Sequence, residues 1–169
     1  MFCRFLRTMS TSALSHPLSF LVGTWRGVGV GIYPTIKTFN YGEEIIISQS
    51  PKGFLVYHQK TWNQETKQPL HAEMGYFRTP GMGETVELVA VAPNGLASVE
   101  EGTISGTTLS LRSKALARTS TARPPYATEF TRTINVDVAA GKLSYVFDMA
   151  AGDASLQRHL EAALEKVEG

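Results

Sequence analysis

The chain has 169 residues, 43% hydrophobic and 18% charged, the composition of one folded domain with a sizeable core rather than of a disordered segment. Its 16 basic and 15 acidic residues leave a net charge of +1, which argues against a large non-specific nucleic-acid footprint, and no run approaches the roughly 18 uncharged apolar residues of a membrane span. The one cysteine, Cys3, excludes an internal disulfide and a cysteine-based zinc cluster, so a reducing, cytoplasmic setting is expected.

Residues 1–42 contain Arg4, Arg7, Arg26 and Lys37 and no acidic residue. The segment MFCRFLRTMSTSALSHP has Arg and Ser in a mildly amphipathic pattern. Residues 1–14 are therefore expected to be a flexible leader or a targeting segment, mitochondrial in the second case, and residues 15–169 the domain. In HPLSFLVGTW, Pro17 suits a first helical turn, and Leu18 to Val22 predict a short helical segment or plug.

From Trp25 onward the hydrophobic period becomes two. Val28, Val30 and Ile32 share a face; Tyr41, Glu43, Ile45 and Ile47 share another; Phe54, Val56 and His58 oppose Leu55, Tyr57 and Gln59. Similar runs follow in LHAEMGYFR, TVELVAVA, ASVEEGTI, TLSLRSKAL, ATEFTRTINVDV and KLSYVFDMA, separated by SPKG, PGMG, PNG, ISG and AAG. Many short strands joined by tight turns predict an all-β antiparallel up-and-down barrel of about ten strands, because closure removes exposed edges. A two-sheet sandwich is the competing architecture. The terminal run SLQRHLEAALEKV reads differently: Leu156, Leu160, Ala163, Leu164 and Val167 form one helical stripe, with Asp153 or Ser155 as N-cap, so a short C-terminal helix is expected.

Gly23, Trp25, Gly27 and Gly29 form a G-x-W-x-G-x-G stretch in which Trp25 is expected to plug the closed end of the barrel. Gly29 and Gly31 leave one strand face nearly bare, room enough for a flat ligand. Thr35, after Pro34, either caps a turn or offers a hydroxyl at a cavity mouth. Of four histidines, His16 is expected exposed, and His58 and His71 lie in strands. His71 and Glu73, two apart on one face, could be a base and its orienter or a cross-strand polar pair. His159 flanks the apolar stripe of the terminal run; spacing alone leaves it a buried structural histidine or a metal ligand.

GTWRGVGVGIYPTIKTFNYGEEI, PLHAEMGYFR, APNGLASVEEG and SLQRHLEAALEKV together resemble the nitrobindin family, small ferric-haem β-barrels akin to the fatty-acid-binding-protein and lipocalin folds. The resemblance runs from about Gly23 to Val167. It implies that His159 is the axial ligand of haem b and that Thr35 contacts the haem. It also implies that Arg123, in RTSTAR, stands where other members have a lysine near the haem.

The implied function is binding of nitric oxide and isomerisation of peroxynitrite to nitrate at ferric haem, with His159 as the catalytic and metal-binding residue. The expected partners are therefore small molecules, with no nucleic acid, no membrane span, and a monomeric or homodimeric state. The alternative is an intracellular carrier of a lipid or other hydrophobic molecule. A hydrolase or isomerase built on His71 and Glu73 is a third reading.

Overall fold

A computed structural model describes residues 16–34, 36–81 and 83–167. The leader expected over residues 1–14 and the candidate Thr35 lie outside them.

A single 3-10 turn, Ser19–Leu21, precedes ten strands: β1 (Gly23–Tyr33), β2 (Ile36–Gln49), β3 (Leu55–Asn63), β4 (Pro69–Arg78), β5 (Thr85–Val91), β6 (Leu96–Ser105), β7 (Thr108–Arg118), β8 (Ala127–Asp137), β9 (Lys142–Ala151) and β10 (Ala154–Val167). Each pairs antiparallel with its sequence neighbour, and β1 pairs with β10, so the meander closes into a barrel. The period of two is realised directly: along β3, Leu55, Tyr57 and Gln59 are buried while Val56, His58 and Lys60 are exposed. Gly95 and Gly141 sit in tight turns at φ 86° and 62°, where a side chain would strain the backbone.

The expected N-terminal helix is only that 3-10 turn. Trp25 Nε1 donates to the Leu21 carbonyl at 2.8 Å, taking an acceptor that a longer helix would use itself. Leu18, Leu21 and Trp25 are fully buried and stopper one end of the barrel, each worth roughly 1.5–3 kcal/mol of burial. His16, expected exposed, is buried there: its Nδ1 accepts from Leu18 N–H at 3.1 Å and its Nε2 donates to the Gly53 carbonyl at 2.9 Å.

The expected C-terminal helix is β10. Its residues pair with β1 from Thr24↔Val167 to Gly31↔Leu160 and with β9 on the other side. A helix here would leave two sheet edges without partners, so closure overrides the helical propensity of the Ala-, Leu- and Glu-rich run. Ala162 and Leu164 face inward; Glu161, Ala163 and Glu165 face out. The register slips between Arg158 and Leu160, so His159 is the extra residue of a β-bulge.

The bare face at Gly29 and Gly31 is not left for a ligand. A Cβ on Gly29 would meet the Tyr41 ring at 2.2 Å, and one on Gly31 the Phe39 ring at 2.2 Å. These aromatic rings of β2 lie over the cross-strand glycines Gly29↔Tyr41 and Gly31↔Phe39.

Candidate functional site: a cavity at the open end of the barrel

The β1–β2, β3–β4, β5–β6, β7–β8 and β9–β10 connections gather at the end opposite the stopper. Two ladders stop short of it, β4–β5 at Met74↔Val91 and β7–β8 at Arg112↔Thr131, so the wall splays. The result is a cavity of about 670 Å³, within the range of about 300–1,000 Å³ usual for small-molecule and cofactor sites. Phe39, Leu70, Leu96, Phe130, Phe147 and Met149 give it apolar walls.

The β10 bulge lets His159 and Leu160 both face this cavity. The His159 Nδ1 lies 3.2 Å from the Ile32 carbonyl of β1. A carbonyl only accepts, so Nδ1 carries the proton and Nε2 keeps a free lone pair. The ring stands edge-on to Tyr33, centroids 5.2 Å apart, and 6.2 Å from Phe147. Burial pushes its pKa below the ordinary value, partly offset by the Ile32 hydrogen bond, so the imidazole is neutral at pH 7. An orienting acceptor on one nitrogen and a bare donor on the other is how proteins present a histidine to a metal.

Arg123 lies on the β7–β8 connection, exposed, and lines the same cavity. Beside it is Arg118, which residue type and position in the sequence do not distinguish from any solvated arginine. Its Nη2 donates to the Ala127 carbonyl at 2.8 Å and its guanidinium stacks 4.7 Å from the Tyr126 ring centre. His71 also lines the cavity, whereas His58 faces outward. Glu73 does not orient His71. It pairs with Arg132, Oε1 to Nη1 at 3.0 Å, and Arg132 grips Glu100 through Nε and Nη2 at 2.7 and 2.9 Å. The residues of the hydrolase reading are thus in place, but the carboxylate is committed elsewhere.

Beneath the cavity is a second buried polar layer. Glu43 is fully buried; it accepts from Gln59 and from Tyr145 Oη at 2.9 and 3.0 Å, and Tyr145 in turn meets Tyr41 Oη at 2.8 Å. An acidic residue on the apolar face of YGEEIII was the signal in the sequence for this layer. Burial pushes the Glu43 carboxyl up to about 7; the Gln59 and Tyr145 hydrogen bonds oppose the shift, Glu73 adds to it, and Arg132 again opposes it.

Protonated Glu43 stabilises the fold fully below the ordinary value of 4.5, and that stability is lost as pH rises through about 7. Glu43→Gln is therefore expected to gain on the wild type by roughly 2–3 kcal/mol between pH 5 and pH 8. Parallel denaturant titrations at the two pH values check this; a constant difference would show that Glu43 is ionised throughout.

A closed antiparallel barrel, stoppered at one end and holding at the other an apolar cavity with one oriented imidazole, defines a small-molecule-binding barrel able to take a flat, metal-centred cofactor. Among the described residues no three His, Cys, Asp or Glu side chains converge as a metal cage, so His159 offers a single donor. Residues 15–166 match the family described as "THAP4-like, heme-binding beta-barrel domain", and the chain belongs to that family of haem-binding barrels.

It is 42% identical to "Peroxynitrite isomerase Rv2717c" of Arabidopsis thaliana, over 89% of this chain and 87% of that one. It is 40% identical to "Peroxynitrite isomerase 2" of Mycobacterium ulcerans, over 89% and 96%. The crystal structure of Rv2717c from M. tuberculosis superposes with a TM-score of 0.80 at 35% identity, covering 89% of this chain and 95% of that one.

Proposed function

We propose that this protein holds haem b, with iron ferric at rest, and isomerises peroxynitrite to nitrate, with nitric oxide as a second small ligand. The observation that carries the reading is His159 on its bulge, Nδ1 tied to Ile32 and Nε2 bare within the cavity. The residues present fit haem in three respects: one neutral nitrogen donor, apolar aromatic walls, and the two arginines at the rim for anionic groups. When bound, haem would supply a Lewis-acidic iron with one replaceable position for the substrate.

The chain's own part is to bind and to shield. His159 Nε2 would hold the metal. The Ile32 carbonyl fixes its tautomer and ring plane. Phe130, Phe147 and Met149 exclude water. Arg118 and Arg123 draw anions to the mouth, where a charge-assisted hydrogen bond is roughly twice as strong as a neutral one. Thr35, outside the described residues, would contact the haem by the family resemblance of its Y-P-T stretch. Isomerisation neither adds nor removes a proton overall, so no side-chain acid or base is required for balance.

The lipid-carrier reading lacks one element. Arg132, the buried cation among the described residues, is already gripped by Glu100 and Glu73, so a fatty carboxylate would be left with only Arg118 and Arg123 at the rim. Expression with haem supplied tests the proposal: a Soret band, and peroxynitrite decay accelerated with nitrate as product, are expected. Colourless protein carrying a co-purified lipid would overturn it. A cytoplasmic site of action is supported by the lone Cys3; residues 1–14 fused to a fluorescent protein distinguish it from a mitochondrial one.

A further inference from the structure

We propose that His71 is a positioning residue for the small anion, its imidazole hydrogen-bonding that anion from the cavity wall opposite His159; this rests on haem binding at His159.

The strand order places the two histidines on opposing walls. Between β10 and β4 lie β1, β2 and β3 one way round the barrel and β9, β8, β7, β6 and β5 the other. Both side chains line the same cavity. They are close enough that charge on His159 is one of the influences on His71.

Besides His159 Nε2, the hydrogen-bond inventory of the cavity leaves two titratable side chains without a partner among the described residues, His71 in the wall and Arg123, exposed on the β7–β8 connection. Tyr41 is engaged by Tyr145, Gln59 by Glu43, Glu73 by Arg132, Arg118 by the Ala127 carbonyl, and Tyr126 by the Ala122 carbonyl. The His71 ring has no hydrogen-bond partner among the described residues, although its backbone is pinned on both sides by Thr61. His71 N–H donates to Thr61 Oγ1 at 3.1 Å, and that hydroxyl donates to the His71 carbonyl at 3.4 Å.

His71 also stands where a ligand would pass. It belongs to the stretch of β4 beyond Met74↔Val91, where the β5 ladder has ended. It lines both the cavity and an open outer groove of about 650 Å³ that includes Trp62, Pro69 and Pro93. Burial lowers its pKa; Glu73 opposes the shift, while Arg132 and His159 add to it. A neutral imidazole at pH 7 has one N–H to donate to an anion and one lone pair to accept from a protonated ligand.

The test uses the haem-loaded ferric protein with sodium fluoride and sodium azide as probes, comparing wild type, His71→Leu and His71→Gln. Loss of one hydrogen bond is expected to weaken anion binding about tenfold in the Leu variant. The Gln variant, which keeps a donor, is expected to fall within about threefold of wild type. The visible charge-transfer band of the fluoride complex should move in Leu and return in Gln, while haem content is the same in all three.

Unchanged anion affinity in the Leu variant overturns the inference. So does loss of haem from it, since His71 would then hold the cofactor itself. Should the Leu variant not fold, Ala against Gln carries the same comparison with the same readings. Wild-type protein that takes up no haem sinks the parent reading instead, before any variant is compared.

Discussion

His159→Leu is expected to abolish stable haem binding while leaving the barrel folded. Removing an acceptor that merely orients a metal-bound histidine commonly costs 10–100-fold in metal affinity, so removing the donor itself is expected to exceed about 100-fold. The fold should tolerate the change. Leu keeps apolar contact with Tyr33 and Phe147, and the loss is chiefly the hydrogen bond to Ile32, about 1 kcal/mol. Haem titration followed at the Soret band, beside a thermal melt of the apoprotein, separates the two effects. Peroxynitrite isomerisation should fall with haem occupancy. In His159→Ala, added imidazole should restore part of the spectrum by filling the vacated space. A Leu variant with unchanged haem affinity would move the ligand role to another side chain and end the present reading of the bulge.

Arg132→Met is expected to be the most destabilising single substitution considered. It leaves Glu100, fully buried, and Glu73, nearly so, without their shared cation. Stranding buried charge in this way costs about 3–5 kcal/mol, against at most about 1 for an exposed pair such as Lys114–Glu101. For a chain of this length that is a fall in melting temperature on the order of 10 °C. Burial works against the Arg132 charge, but Glu100 and Glu73 more than compensate, so the guanidinium stays protonated. Adding Glu73→Gln and Glu100→Gln to Arg132→Met should recover much of the loss, because the uncompensated charges are then gone. A single variant that melts within 2–3 °C of wild type would mean the triad is hydrated, not sealed.

The two variants probe different depths of the barrel, and they were differently visible beforehand. His159 and Arg123 were singled out through the family that the sequence resembles, and the structure places both in the lining of one cavity. Arg132 was not singled out, although it shares the face of Phe130, Ile134 and Val136 just as Glu43 shares that of Ile45; what the sequence lacked was its partners. Its partners are 32 and 59 residues away in sequence, so no local pattern could link them. Gly29 and Gly31 were visible as an anomaly but misread: what fills their space is supplied by Tyr41 and Phe39, twelve and eight residues later, once β2 has folded back.

What the sequence determined by itself is everything carried by local periodicity and turn chemistry. Alternation with a period of two, broken by SPKG, PNG, ISG and AAG, specifies a run of antiparallel strands, because side-chain direction and turn dihedrals are properties of neighbouring residues. The terminal run was undetermined at that level. Leu160 and Leu164 are four apart, a spacing that satisfies a helical stripe and a strand face equally well. Tertiary structure decided it: β1 and β9 each present an unpaired edge, and only an extended segment can satisfy both. The same closure makes the bulge at His159 and brings the Ile32 carbonyl, 127 residues away, to its Nδ1. The donor residue is written in the sequence, while its tautomer, its direction and the cavity it faces exist only once the barrel is shut.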